Sequence, residues 1–375
     1  MKIKTFKASH LSILDAKLAE LIDDSFNPNL AFVFSSVELD VLQVKSVFNK
    51  YKIVILGASS CGEIYFDGTN DGIFEGSVTV SLVEINERYF AGTLIDGHEM
   101  SSMELGRKVG AWGKSHFKKP AFIIAVSGLM ANGQEVVEGV LDVAGLNTEM
   151  FGGLAGDDAK FIETFVFNSD QANNNGAVVI AFDTEFINIR GLATSGWVGI
   201  GSDKIVTQAV GNILYTIDNE PALKVYKEHL NINDEDLPEI GVEYPLLVKK
   251  DGREVLRAVV GIDKEKQSLI FAGTVPQGAV VTFSTSPGFE IVDHTKKDIV
   301  EFFKDAGKVD MMLLFSCMAR HRALGPVISE EITEASSMTG LPINGFFTYG
   351  EIGNNGPSRC DFYNETFTLA LISEK

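Results

Sequence analysis

The sequence predicts an α/β protein of mixed α+β layers, with two related lobes whose mostly antiparallel or mixed sheets are covered by helices. Strand-rich and helix-rich stretches alternate along the chain, which favours mixed layers over a doubly wound sheet. One order of elements (strand, turn, helix, strand, glycine-rich turn, further strands) occurs at 121–183 and again at 296–372. We interpret it as an internal duplication. Because 375 residues are many for one core, we expect two domains, and we place them at 1–200 and 201–375.

Glycine-rich turns recur at three places where an apolar run ends. A carboxylate, Glu63, Asp157 or Glu351, follows the last glycine of each. Glycine tolerates positive φ and close backbone approach, so the pattern predicts strands that run into tight turns. The three motifs are GASSCGEI at 57–64, GGLAGDD at 152–158 and GFFTYGEI at 345–352.

The first 120 residues predict alternating helices and strands. Ser35 and Glu38 have the spacing of a capping box for the helix that follows. The β-branched runs SVTVSLVEI and YFAGTLI are separated by NER, which predicts a hairpin, and a helix is expected at about 99–117. The other elements are helix LSILDAKLAELIDD, strand AFVFSS, helix ELDVLQVKSVFNKY and strand KIVIL.

The two copies of the repeat carry clear signals for helix ends. Asn132 is placed to cap helix QEVVEGVLDVAG, and Pro326 opens helix VISEEITEASSM, in line with the preferences of helix starts. A right-handed crossover would make strands 311–317 and 343–349 neighbours. Between the copies lie helix NEPALKVYKEHL, the acidic loop NINDEDLPEIG, and strands YPLLV, VLRAVVGID, SLIFAG and AVVTFST.

Charge and motif content exclude several classes of function. The formal net charge of −19 repels phosphate backbones and anionic lipid, so we expect neither nucleic acid nor a membrane as a partner. The sequence contains no apolar stretch of membrane-spanning length and no secretion signal, and its three cysteines fit a reducing compartment. We expect a cytoplasmic protein. P-loop, HExxH, paired CxxC and GxSxG motifs are absent from the sequence, as is metal-ligand spacing of histidines.

Chemically versatile residues gather near the last glycine motif. If its strand and strand 311–317 are neighbours, Cys317, Arg320 and Tyr349 should converge with Glu351. The Arg320 guanidinium could bind a carboxylate through two parallel hydrogen bonds, and the Glu351 carboxylate could bind an ammonium. The group of residues therefore suits a zwitterionic, amino-acid-like ligand. Alternatively, Arg320 and Glu351 form a salt bridge that locks the turn. Both interpretations stay open.

Two other classes of function remain as alternatives. One is a hydrolase with Cys317 or Ser316 as nucleophile and His321 as base. Side chains close together at a strand end point to alternate faces, so we do not expect an enzyme. The other is a docking scaffold for a partner kinase, with the acidic segment DEDLPE at 234–239 as a contact.

The order and spacing of these segments resemble the FIST family of sensory proteins over nearly the entire chain. GASSCGEI and GLAGDDAKFIETFVF are similar to its amino-terminal domain. The family's last motif commonly has the order His-Asn-x-Thr, whereas Tyr363, Asn364, Glu365 and Thr366 stand here, without an imidazole. Similar to the carboxy-terminal domain are IDNEPALKVY, YPLLVKKDGREVLRAVVGID, FAGTVPQGAVVTFS, LFSCMAR, GFFTYGEIG and FYNETFTLALI.

The resemblance implies a bacterial, stand-alone sensor that binds a small ligand and signals through a separate protein, such as a histidine kinase of a two-component system. One branch of the family binds haem and reports nitric oxide. Here His321 or His294 would be the axial ligand of a haem. The expected ligand-binding residues are Ser316, Cys317, Arg320, Tyr349, Gly350, Glu351, Gly62, Glu63 and Asn364.

Overall fold

The computed structural model describes residues 1–233, 235, 237, 239–250, 252–285, 288–354 and 359–375. Short 3-10 helices lie at Phe48–Lys50, Glu87–Tyr89 and Gly325–Val327. The α-helices are α1 (Leu11–Leu21), α2 (Val41–Val47), α3 (Ser102–His116), α4 (Gly133–Ala144), α5 (Ala222–Leu230), α6 (Glu239–Glu243), α7 (Glu290–Phe303), α8 (Met318–Leu324) and α9 (Ile328–Ser337).

The strands begin with β1 (Lys2–Ala8), β2 (Leu30–Ser35), β3 (Val54–Ser59), β4 (Glu63–Phe66), β5 (Gly72–Phe74), β6 (Val78–Glu84), β7 (Phe90–Asp96), β8 (Pro120–Val126), β9 (Met150–Leu154), β10 (Val166–Phe167), β11 (Ala172–Asn173), β12 (Gly176–Asp183) and β13 (Ile187–Thr194). They continue as β14 (Val198–Val210), β15 (Ile213–Ile217), β16 (Glu220–Pro221), β17 (Leu246–Lys250), β18 (Arg253–Arg257), β19 (Val259–Asp263), β20 (Ser268–Phe271), β21 (Val280–Thr285), β22 (Met311–Cys317), β23 (Ile343–Thr348), β24 (Glu351–Gly353), β25 (Asp361–Tyr363) and β26 (Phe367–Glu374).

One order of strands and helices occurs three times in the described chain. The repeats run from β1 to β6, from β7 to β12 and from β13 to β26, and the third contains an insertion from β14 to β21. Each repeat has a parallel pair joined through a helix: β2 with β3, β8 with β9, and β22 with β23. The segments 121–183 and 296–372 belong to the second and third repeats, and the first repeat is a further copy.

The described strands form three core sheets and one insert sheet. Each core sheet mixes parallel and antiparallel pairs, so the predicted fold class is confirmed. The first core sheet has the order β1-β6-β2-β3-β10-β11, the second β25-β24-β9-β8-β12-β7 and the third β13-β26-β22-β23-β4-β5. The insert sheet has the order β18-β17-β21-β14-β15-β20-β19, with β16 paired to β15.

Each repeat passes from its own sheet into a neighbouring one after its glycine motif. The chain leaves β3 for the third core sheet, leaves β23 for the second, and leaves β9 for the first. Strands from both sides of residue 200 thus share two sheets, and a domain boundary there stays a prediction. Equivalent backbone bonds mark the crossings: Phe347 N to Gly62 O at 2.9 Å, Leu154 N to Gly350 O at 2.8 Å and Ser59 N to Phe165 O at 2.9 Å.

The hairpin expected of SVTVSLVEI and YFAGTLI does not form. The first run is β6, which pairs with β1 and β2, and the second is β7, which pairs with β12. A 3-10 helix separates them, and each run finds its hydrogen bonds in a different sheet. The prediction was wrong because alternating apolar residues indicate a strand without identifying its partner.

Helix starts follow local capping chemistry. Asp40 caps α2 by accepting the N–H of Leu42, so the capping box predicted for Ser35 and Glu38 is not the one used. Asn132 caps α4 as predicted, accepting two backbone N–H groups. Such caps satisfy donors that the first helical turn leaves without partners.

Aromatic side chains join the first and third core sheets. Phe34 of β2 stacks on Phe346 of β23 with ring centroids 4.5 Å apart, and Phe315 of β22 meets Phe346 edge-on at 5.8 Å. All three are fully buried, and each contributes about 1.5–3 kcal/mol by leaving water. This core anchors the strand that leads into the last glycine motif.

The insert sheet has a hydrophobic core of its own around Tyr226 of α5, whose hydroxyl donates to Tyr244 O at 2.7 Å. Its edge strand β18 lies against β25, and α6 lies against α8. The acidic segment 234–239, between α5 and α6, lies partly outside the described residues. Within the described chain, no helix is both long and apolar enough to cross a membrane.

Candidate functional site

A cleft of about 590 Å³ lies where the insert sheet meets the third repeat. One wall is the end of β13 with the residues that follow it, and another is β18. Side chains of α7 and the segment around β25 complete the lining. We refer to this cavity as the cleft.

Both signs of charge line the cleft. Among the described residues, its basic groups are Arg253, Arg359 and His294, and its carboxylates include Asp298 and Asp361. Arg253 Nη1 lies 3.4 Å from Asp361 Oδ2, and His294 Nδ1 lies 3.4 Å from Asp298 Oδ2. The cleft can therefore pair with a ligand that carries both charges.

Arg359 has spare hydrogen-bonding capacity in the cleft. Its Nε is buried and has no hydrogen-bond partner among the described residues. A buried donor without an acceptor costs free energy until a ligand or water supplies one. Trp197 and Tyr363 add aromatic surface to the same cleft. A guanidinium with aromatic neighbours is a common setting for carboxylate recognition.

Arg320, predicted to grip a ligand, lies beneath the cleft instead of lining it. It is fully buried and forms an ion pair with Glu331 of α9, with Nε 3.0 Å from Oε2. Its other N–H groups donate to Ser195 O and to Thr295 Oγ1, and Trp197 of the cleft wall lies 5.4 Å from the guanidinium. Arg320 thus positions the cleft wall, and its acidic partner is Glu331 rather than Glu351.

Glu351 and Glu63 occupy equivalent buried sites. Glu351 accepts hydrogen bonds from Thr348 Oγ1 and from the N–H and Oγ1 of Thr366, the latter at 2.6 Å. Glu63 accepts from Ser60 Oγ and from the N–H and Oγ of Ser77, the latter at 2.6 Å. Burial raises the pKa of each carboxyl to about 7, against the opposing effect of those hydrogen bonds. Because Thr366 lines the cleft, Glu351 supports the cleft floor from below.

Asp157 does not share the position of those two glutamates. Glu63 pairs across its sheet with Phe346, and Glu351 pairs with Gly153 in the equivalent register. The corresponding residue of the second repeat is Val166. Asp157 instead accepts the N–H groups of three loop residues, at 2.9, 2.6 and 3.0 Å. This matches a structural role in the turn.

Tyr349, Gly350 and Gly62 lie where the glycine motifs meet. The Tyr349 hydroxyl donates to the Asp157 carboxylate, and its ring stacks on Phe161 at 4.8 Å. Gly62 and Gly350 have φ of +120° and +152°, a conformation that disfavours a side chain. They are needed for the chain to cross between sheets.

Ser316, Cys317 and His321 do not form a catalytic arrangement. Ser316 and Cys317 are buried, and burial raises the pKa of the Cys317 thiol well above its usual range. A poised thiolate requires the opposite shift. The His321 ring stacks on Phe347 at 4.3 Å, and burial lowers its pKa. This geometry does not support the hydrolase alternative.

The last motif contains a functional candidate that the sequence did not single out. Glu365 is fully buried, has φ of +57°, and neither carboxyl oxygen has a partner among the described residues. Burial, and then the neighbouring Glu351, raise its pKa well above the ordinary value. Asn364, which was predicted, is buried and donates to Tyr363 O at 3.1 Å. A strained, buried acid of this kind is typical of functional sites.

Of the predicted residues, His294 is the one that lines the cleft. Arg253, Arg359 and Asp361 were missed because no motif identifies them. The nearest signals were the basic hairpin KKDGR and the fragment RCDFYN, which runs into the last motif. Across the described residues, no group of three or more His, Cys, Asp or Glu could hold a metal ion.

The fold is built from three interlocked repeats, and a cleft lined by both signs of charge lies beside the third. The family model of the FIST N domain matches residues 29–220, and that of the FIST C domain matches residues 222–354. The chain therefore belongs to the FIST family, whose domains are sensory domains that bind small ligands in signalling proteins. None of the curated proteins matches the chain significantly.

Proposed function

We propose that the protein is a cytoplasmic sensor that holds a small zwitterionic, amino-acid-like ligand in the cleft and signals through a separate partner, such as a histidine kinase. The observation that carries the proposal is the buried Nε of Arg359, which has no hydrogen-bond partner among the described residues. A ligand carboxylate would satisfy that donor in a charge-assisted bond.

The remaining groups of the cleft suit the rest of such a ligand. Asp298 and Asp361 offer carboxylates for an ammonium, and Trp197 offers an apolar face for a side chain. Asp298 is held in place by a hydrogen bond from Thr194 Oγ1. A preformed acceptor of this kind lowers the cost of ordering the site on binding.

The Arg320 network provides a route from the cleft to the surface of the third repeat. One guanidinium joins Ser195 in the cleft wall, Thr295 on α7 and Glu331 on α9. A ligand that shifts the cleft wall would change the bonds of a buried ion pair, and so the position of α9. This makes α9 the element through which a partner would detect the ligand.

Calorimetric titration of the full chain with a panel of amino acids tests the proposal. We expect binding by at least one member and a loss of about tenfold or more in affinity for Arg359→Gln, since a charge-assisted hydrogen bond contributes about 1.5–3 kcal/mol. Arg88→Gln changes the same charge at an exposed position and should leave the affinity unchanged. Silence across the panel, or equal affinity of the two variants, would contradict the proposal.

Haem is a second candidate ligand, because His294 lies in the same cleft. Its Nδ1 faces Asp298 at 3.4 Å, which is how proteins orient a histidine that binds metal through Nε2. His321 fits less well, since its ring stacks on Phe347 and it does not line the cleft. If haem binds, titration of the unmodified protein with haem should give a Soret band. The His321→Ala variant should show the same band, and the His294→Ala variant should not. No band in the unmodified protein would remove this candidate.

A further inference from the structure

A second cavity, of about 270 Å³, lies between α4 and the hairpin β17–β18. We call it the basic pocket and define it by Gln134, Glu138, Lys250, Arg253, Arg257 and Asp361. Arg253 and Asp361 also line the cleft, so their ion pair forms a wall between the two cavities. The proposed function uses Asp361 of this wall and none of the other residues that define the basic pocket.

Arg257 of the basic pocket is a buried cation that has no carboxylate within ion-pair distance among the described residues. It is 2% exposed, and none of the ion pairs between described residues includes it. Its N–H groups donate to neutral acceptors: Thr274 O at 3.1 Å, Leu256 O and Phe362 O at 3.0 Å, and Gln134 Oε1 at 2.9 Å.

Those four bonds leave Arg257 with unused capacity. A guanidinium has five N–H donors, so one hydrogen on Nη2 has no partner among the residues that the structure describes. A buried charge costs several kcal/mol unless an opposite charge compensates it. Burial accordingly lowers the pKa of Arg257 to about 10, with Asp361 opposing the shift. The guanidinium, which forms no ion pair with a described carboxylate, lines the cavity.

The other charges of the basic pocket leave it positive. Arg253 Nη1 lies 3.4 Å from Asp361 Oδ2 and 3.9 Å from Glu138 Oε1. This one cation therefore pairs with both carboxylates of the pocket. Lys250 donates to a neutral acceptor, Gln277 O, at 2.6 Å. Among the described lining residues, three cations therefore oppose two carboxylates, within a chain whose net charge is −19. Such a local reversal of sign concentrates small anions.

We propose that the basic pocket is a binding site for a small oxyanion, a carboxylate or a phosphate group, which pairs with Arg257 and is closed in by Lys250. The ligand supplies the acceptor that the free Nη2 hydrogen lacks and the negative charge that the buried guanidinium lacks. A carboxylate and a phosphate group can both supply these two features. They differ in charge and in the number of acceptor oxygens.

Titration calorimetry of the full chain at fixed ionic strength, with inorganic phosphate in one arm and acetate in the other, tests the site. We expect a single saturable site for one or both anions, and the tighter arm identifies the source. Lys250→Gln should weaken binding about tenfold, the loss of one charge-assisted hydrogen bond. Lys249→Gln is the matched control: the adjacent lysine pairs with Glu254 at 3.6 Å and does not line the pocket.

Further variants separate this site from the cleft. Arg359→Gln should leave the affinity for the anion unchanged, because Arg359 lines the cleft and not the basic pocket. Arg257→Gln should abolish binding if it folds, and the Lys250 and Lys249 variants carry the test if it does not. Three results would overturn the proposal. They are no saturable binding of either anion, equal weakening of binding in the Lys250→Gln and Lys249→Gln variants, and loss of binding in the Arg359→Gln variant alone.

Discussion

The glycine motifs of the first and third repeats build the same carboxyl site in different surroundings. Glu63 lies between Ser60 and Ser77, and Glu351 lies between Thr348 and Thr366 in the same pattern of hydrogen bonds. In the first repeat Gly76, with φ of +65°, precedes Ser77. In the third, Glu365 takes the equivalent left-handed position at +57°.

The surroundings therefore distinguish the two sites more than the motif does. Thr366 faces the cleft that the insert sheet creates, and the Arg320–Glu331 pair lies beneath the same wall. The shared motif is explained by the short crossings from β3 to β4 and from β23 to β24, whereas the second repeat crosses from β9 to β10 by a longer segment with Val166 at the corresponding position. The comparison teaches that a repeated, chemically suggestive motif can have the same structural role in two repeats, while the segment packed against one of them forms a cleft that the other lacks.

Breaking the buried ion pair of the third repeat should have the largest effect. Glu331→Gln leaves the Arg320 charge without its carboxylate, so we expect a loss of about 3–5 kcal/mol in the free energy of unfolding. Glu330→Gln, next to it on α9, removes an exposed acid 3.7 Å from Lys296 and should cost about 1 kcal/mol or less. Denaturant titration measures both. Similar stability of the two variants would show that the buried Arg320–Glu331 pair does not stabilise the fold.

The titration of the two equivalent glutamates sharpens the comparison. Their pKa is about 7 in the folded protein, against an ordinary value of 4.5, so between these pH values the unfolded chain binds fewer protons than the folded one. The contribution of these two carboxyls to the free energy of unfolding should therefore be highest below about pH 4.5 and fall as the pH rises to 7, by about 3 kcal/mol for each carboxyl.

Glutamine variants assign this pH dependence, because an amide resembles the neutral acid. Glu63→Gln and Glu351→Gln should each remove a similar share of the fall in stability between pH 4.5 and 7, and the double variant should remove both shares. Denaturant titrations at several pH values provide the measurement. Unequal shares would mean that the two carboxyl sites are not equivalent in solution.

The left-handed residue before Thr366 should give the smallest effect. Glu365→Ala removes the unpartnered carboxyl but keeps a side chain at positive φ, whereas Glu365→Gly also relieves the strain. We expect the glycine variant to be more stable than the alanine variant by about 1–2 kcal/mol. Gly76→Ala should lose a similar amount in the first repeat. Equal stability of the two Glu365 variants would contradict strain at this position.

The sequence predicted elements better than it predicted their partners. Strands β22 and β23 were expected to be neighbours, because a helix joins them and parallel crossovers place such strands together; the structure confirms this. The hairpin of β6 and β7 failed because their partners lie in separate sheets. For the site, the sequence located Arg320, Glu351 and His294 near the cleft, but it could not identify Arg359 or the pairing of Arg320 with Glu331.

The sequence by itself determined the mixed fold class, the glycine turns and the family of the protein, since these depend on local patterning and on the spacing of motifs along the chain. Tertiary structure alone decided that three repeats exchange strands, that the predicted carboxylates are buried, and that an inserted sheet opens a cleft against the last repeat. The physical reason is that strand pairing, burial and the compensation of charges depend on which distant segments meet, and local periodicity does not encode those contacts.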